Sequence, residues 1–308
     1  MAYEIGTYSI EGGGFMRYAR LNAPKPSRGC VLIGLGWAEW LEKYAGVAED
    51  WAQRGFDVVA VEWRGQALSS RFLERRDRAW HASFDVLVDD LDAFVRWYFQ
   101  DDQGPLLLMG HSLGAHLLLR WYIEKTPPHN IIRGVMLLSP MQRVNTKPFA
   151  YRVAQAITST AMFLRLGQRF APGQGKFDPV NVPFAGNQLT HSEARYNAMI
   201  LALRENPLLK AGGITYGWLS AAFRSANKLE ARLKLGAPKG PYLVIGPEQD
   251  PLVETEGMRK IAKLLPNCTA QFFAGAAHEL LEESDDIREK TWAAIDAFIK
   301  RVLPAEPN

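Results

Sequence analysis

The chain has 308 residues, 47% hydrophobic and 22% charged, with 36 Lys and Arg against 33 Asp and Glu for a formal net charge of +3. That composition excludes the disordered and low-complexity classes, and so small a positive surplus does not mark a nucleic-acid-binding protein. No apolar run approaches the ~20 residues of a membrane span, and Met1-Ala2-Tyr3-Glu4-Ile5-Gly6 lacks the basic and apolar stretches of a secretory signal, so a soluble cytoplasmic protein is expected.

Hydrophobic pattern and chain breakers then place the elements. Phe15 to Leu21 alternates like an edge strand, and Asn22 to Ser27 is a loop. Gly29 to Ile33 reads as a buried strand, Tyr44 to Arg54 as a helix stopped by Gly55, and Asp57 to Val61 as a second buried strand. Phe84 to Phe99 is an amphipathic helix with Phe84, Leu87, Val88, Leu91, Phe94 and Val95 on one stripe. The run Pro105 to Met109 is a strand, Ala115 to Lys125 a helix, and Gly134 to Ser139 a further apolar strand. From Met141 to about Leu235 only helical patterns follow, over Arg152 to Phe170, Ser192 to Arg204 and Thr215 to Leu233. Strands at Pro241 to Gly246 and Thr269 to Phe273 flank a helix at Thr255 to Leu265, and Ile287 to Val302 closes the chain as a helix. Strands that are apolar throughout and alternate with helices predict an α/β fold with a mostly parallel sheet covered on both faces. Residues 1–140 and 236–308 are the expected two parts of that core, and 141–235 an inserted helical cap. Cys30 and Cys268, far apart, read as reduced thiols. The six scattered histidines argue against a metal site, since His111 and His116 point to different faces of a helix.

The most informative stretch is Gly110-His111-Ser112-Leu113-Gly114, a G-x-S-x-G turn set between a strand and a helix. A serine on so tight a turn needs neighbours without side chains, and it then stands exposed above the sheet as a nucleophile. An acid and a base follow in the order this architecture uses: Asp250, in the loop after the strand ending near Gly246, and His278, in the loop after the next strand. Glu248 is the rival acid; Glu279, Glu282 and Glu283 read as the acidic first turn of a helix, and His81, His129 and His191 as structural or surface residues. An oxyanion hole needs two backbone donors, assigned to the amides of Leu113 and Trp37 in Gly34-Leu35-Gly36-Trp37-Ala38-Glu39-Trp40. Gly36, Trp40 and His111 are assigned to the substrate pocket; for Trp37 and Trp40 the alternative is packing beneath the cap.

At these residues the chain resembles the serine hydrolases of the α/β-hydrolase superfamily, within it the lysophospholipase and monoacylglycerol lipase-like group (serine aminopeptidase S33-type), and most of all the bacterial lysophospholipases. Beyond the elbow, Glu39 to Tyr44, Trp63 to Ser69, Asp250-Pro251-Leu252-Val253 and Ala277-His278-Glu279-Leu280 carry the likeness. Leu35 stands where the group usually has a histidine, Glu62 where an Asp commonly ends the strand, and Ala67 where glycine is usual; the missing histidine predicts a looser oxyanion loop. The resemblance implies hydrolysis of carboxylic esters through an acyl-enzyme, with no metal or organic cofactor. A histidine base makes activity rise with pH across roughly 6.5 to 7. A general carboxylesterase or an aminopeptidase shares every core motif, and a non-catalytic binding protein of the same fold is the alternative of another class. Between Met141 and Phe177 the chain carries Arg143, Lys147, Arg152, Arg165, Arg169 and Lys176 and no acidic residue. Interleaved with Ile157, Met162, Phe163, Leu164 and Leu166, they suit an anionic lipid surface or a solvated cationic face.

Overall fold

Strands that are apolar on both faces need helices on both sides, and the chain folds accordingly. A computed structural model describes residues 3–100, 104–125, 130–176, 178 and 182–303. Ten strands and eight α-helices run in the order β1(Glu4–Ser9), β2(Phe15–Leu21), β3(Cys30–Gly34), α1(Ala45–Gln53), β4(Asp57–Glu62), β5(Arg78–Ala79), α2(Asp85–Tyr98), β6(Leu106–His111), α3(Leu113–Glu124), β7(Ile132–Leu138), α4(Tyr151–Phe163), α5(Glu193–Glu205), β8(Gly213–Ile214), α6(Tyr216–Leu235), β9(Tyr242–Pro247), α7(Thr255–Leu264), β10(Cys268–Phe273) and α8(Asp285–Val302). The main sheet has the order β1-β2-β4-β3-β6-β7-β9-β10. It is parallel from β4 to β10, and β1 and β2 are antiparallel.

Two apolar layers clamp this sheet. Trp51 and Val47 of α1 and Ile295 and Phe298 of α8 pack on one face; Leu91 and Phe94 of α2, Leu117 and Trp121 of α3 and Trp218 of α6 pack on the other. At about 25 cal/mol per Å² of apolar area removed from water, such two-sided burial is the main term holding the sheet. Strand order reverses at β3, whose neighbours β4 and β6 lie on opposite sides, and the crevice beyond the carboxyl ends at such a switch is where open sheets bind ligands.

Several expectations need correction. Phe15–Leu21 is not the edge, because β1 pairs outside it; β1 is mostly exposed and shows no apolar alternation to find. The segment between β7 and β9 contains a strand after all, the two-residue β8, which pairs with Arg78–Ala79 and is too short to show a period. The helix expected to reach Phe170 stops at Phe163, with Arg165 in the left-handed region at φ 59°. Glu279, Glu282 and Glu283 precede α8 rather than forming its first turn, and Glu279 and Glu283 are buried. His81 is buried, the His191 ring is mostly exposed against Glu283, and His129 lies outside the described residues. Glu62, at the end of β4, is fully buried and accepts the amides of Leu68 and Ser69 while pairing with Arg17, so it ties the loop after β4 to β2.

Candidate active site

Ser112 sits between β6 and α3 with φ 50° and ψ −115°, a conformation a non-glycine residue adopts only when its surroundings enforce it, at a cost of about 1–3 kcal/mol. The enforcement is visible. A Cβ on Gly114 would lie 2.0 Å from the Gly34 carbonyl oxygen, and one on Gly110 would lie 2.5 Å from the Ala115 backbone, so neither glycine tolerates a side chain. The Ser112 amide donates to the Leu138 carbonyl (2.9 Å), which fastens the turn to β7.

Asp250 lies just past β9 and His278 in the loop between β10 and α8, and the fold brings them together, with Asp250 Oδ2 2.6 Å from His278 Nδ1. Both are buried, whereas Glu248 is exposed. The second carboxylate oxygen accepts the amides of Leu252 (2.8 Å) and Val253 (3.0 Å), so the carboxylate cannot rotate away. Burial pushes the Asp250 carboxyl up, but the imidazole and these amides outweigh it and hold it below the usual carboxylate range. The His278 carbonyl is held by Ser139 Oγ (2.8 Å) and by His111 Nε2 (3.2 Å).

Ser112, Asp250 and His278 all border one cavity of about 900 Å³, whose wall includes Trp37, His111, Met141, Val253 and Trp218. No hydrogen bond joins Ser112 Oγ to the His278 ring among the described residues; in unliganded sites such contacts are often long and tighten on binding. The Trp37 ring packs against His81 and against Trp218 of α6, so it both lines the cavity and takes part in aromatic packing. Two expected pocket residues lie elsewhere. Trp40 is buried with Ala67, Tyr196 and Ile200 and does not border the cavity. Gly36 is wedged against Glu39 and His111, where a Cβ would come within 2.7 Å of Glu39 Oε2.

The loop after β3, which carries Gly36 and Trp37, is tied down by side-chain hydrogen bonds. Leu35 is buried in the core and its carbonyl accepts from the Trp63 indole (2.5 Å). Gln66 Nε2 donates to the carbonyls of Gly36 (2.9 Å) and Glu39 (3.1 Å). Glu39 Oε2 accepts the Gly36 amide (2.5 Å) and the Tyr44 hydroxyl (2.7 Å). Glu39 and Gln66 both stand in segments that carry the family likeness, but the sequence assigns neither a role. The available signal was a carboxylate three residues after Gly36, the spacing at which a side chain reaches back to a backbone amide.

Fold and site together define an α/β hydrolase: a mostly parallel sheet of eight strands with a serine on the strand-to-helix elbow. The chain belongs to the serine aminopeptidase S33 family, whose profile matches residues 25–285. It is similar to lysophospholipase L2 of Escherichia coli (strain K12), 27% identical over 296 residues that cover 93% of this chain and 84% of that protein. It is also similar to the probable lysophospholipase L2 of Haemophilus influenzae, 25% identical over 92% of this chain and 88% of that one. Among solved structures, a soluble variant of monoglyceride lipase from Saccharomyces cerevisiae shares the fold with a TM-score of 0.78 at 15% identity, covering 98% of this chain and 96% of that chain.

Proposed function

We propose that this chain is a serine ester hydrolase of the lysophospholipase or monoacylglycerol lipase type. The observation that carries the reading is the strained, glycine-flanked Ser112 facing the same cavity as a buried Asp250–His278 pair. Similarity to lysophospholipases along nearly the whole chain supports the substrate class. In this mechanism Ser112 Oγ attacks the ester carbonyl carbon as His278 takes its proton. Asp250 holds the imidazole tautomer, and the amides of Leu113 and Trp37 hold the oxyanion. Collapse expels the alcohol, which takes that proton from His278. Water, deprotonated by the same ring, then releases the fatty acid and restores Ser112.

The segment 141–235 acts as a cap over the cavity, since Thr158, Ile214 and Trp218 from it form the wall. Its outer edge suits peripheral contact with an anionic membrane surface. Phe163 is 87% and Leu164 58% exposed, beside Arg165 and Arg169, and no helix among the described residues is long and apolar enough to cross a bilayer. Unpaired Cys30 and Cys268 agree with a cytoplasmic location. The substrate class is tested by hydrolysis of a p-nitrophenyl ester series, lysophosphatidylcholine and an aminoacyl p-nitroanilide. Turnover of the long-chain and lyso substrates is expected; preference for the anilide would make the chain an aminopeptidase. Reversing the charge of Arg165 and Arg169 together is expected to weaken binding to anionic vesicles, and unchanged binding rules out the membrane contact.

A further inference from the structure

Resting on the hydrolase reading above, we propose that Glu39 and Gln66 are positioning residues that fix the Gly36–Trp37 peptide with its N–H turned to the reacting carbonyl, and that the cluster around Glu39 locks the His278 loop in the same register. In a trans peptide the C=O and the following N–H point to opposite edges of one plane. Gln66 Nε2 holds the Gly36 carbonyl from one side (2.9 Å), so the Trp37 amide is directed to the other. A flip of that plane would put a carbonyl oxygen where the oxyanion forms and would break the Gln66 contact. Rotation of the preceding plane is blocked as well, because the Gly36 amide is bound to Glu39 Oε2 (2.5 Å).

The carboxylate that does this is itself immobile. Glu39 is 3% exposed; its Oε1 pairs with Lys43 Nζ (3.0 Å), and its Oε2 lies 3.3 Å from His111 Nδ1. Burial pushes its carboxyl up, but Lys43 and His111 more than reverse this, so it is held as the anion. Lys43 Nζ also pairs with Glu279 Oε1 (2.7 Å), the residue next to His278, and the other nitrogen of His111 faces the His278 carbonyl (3.2 Å). One buried group of charges thus grips both the loop that carries the oxyanion donor and the loop that carries the base. Neither Glu39 nor Gln66 borders the large cavity, so both act through the backbone and not by touching substrate. Preorganised donors of this kind lose their value once they must be reoriented in each turnover.

The test uses the full chain with Gln66→Met, which removes the carbonyl anchor without disturbing the charges, and Glu39→Gln, which keeps an acceptor but drops the charge. Folding is checked by near-UV circular dichroism, and kcat and KM are measured on p-nitrophenyl butyrate. Affinity for a trifluoromethyl ketone, which forms an oxyanion on Ser112, is compared with affinity for the unreactive alcohol analogue. The expected result is a fall in kcat of roughly 10- to 100-fold with KM within about twofold, matched by a loss of ketone affinity but not of alcohol affinity, as removing an oxyanion donor does. A structural role alone would lower stability without separating the two ligands. Folded Gln66→Met enzyme with kcat and ketone affinity within threefold of wild type overturns the proposal while leaving the hydrolase reading intact. An inert wild-type chain overturns both.

Discussion

Asp250 shows how much a single side chain is asked to do. Its two oxygens are fully spoken for, one by His278 and the other by the amides of Leu252 and Val253, so the imidazole it faces is fixed in orientation and tautomer. Asp250→Asn keeps the shape but presents an amide that donates where the carboxylate accepts. The expected loss in kcat is on the order of 10⁴-fold with near-wild-type stability. Steady-state kinetics beside a thermal melt checks this, and a loss below tenfold would assign the pair a structural role. Gly114 is a residue of the opposite kind, needed for what it lacks. Gly114→Ala sets a methyl 2.0 Å from the Gly34 carbonyl, so β3 and α3 must separate, and the overpacking is expected to cost about 3 kcal/mol. Chemical denaturation that finds a change below 0.5 kcal/mol would contradict that reading.

At the scale of elements, the parts legible in sequence were those whose pattern is imposed by burial. In the sheet centre β3, β6 and β9 are buried along their whole length because helices cover both faces, and α2 shows a clean stripe because only one side meets the core. Each strand-end loop that carries a candidate site residue could be placed, since Ser112, Asp250 and His278 all follow such runs. Illegible elements were held by something other than pattern. β1 is largely exposed and depends on its ladder with β2, and β5 and β8 are two residues each, in a region where Arg71 and Arg76 bind backbone carbonyls and Thr215 Oγ1 donates to the Ala79 carbonyl. The end of α4 is not legible in the sequence, because Leu164 and Leu166 continue the apolar period while the chain leaves the helix at Arg165. The roles of Glu39 and Gln66, though both stand in likeness-bearing segments, are illegible for a related reason: buried polar groups bonded to backbone carry no periodic signal.

Across the whole molecule, the buried charges behind the site make stability depend on pH. Burial pushes Glu282 up to about 7 from an ordinary 4.5, with Glu279 and Glu39 adding to the effect and Lys43 opposing it. A carboxyl whose folded value is raised keeps its proton where the unfolded chain has released it. Folding stability from this group is therefore present at low pH and is lost as pH rises from about 4.5 through 7. Because the side chain is partly exposed, about 1–2 kcal/mol is expected, less than the full shift converts to. Glu282→Gln should then match wild type near pH 4.5 and exceed it above pH 7 in urea titrations at each pH; a gap that stays constant would refute the assignment.

Whether Ser112 is a nucleophile activated at the elbow of an α/β hydrolase is tested most directly by labelling with a fluorophosphonate probe. Wild-type protein is expected to become covalently modified at Ser112, with labelling abolished in Ser112→Ala that retains its fold. Wild-type protein that stays unlabelled, or labelling that persists in Ser112→Ala, would show that Ser112 is not the nucleophile.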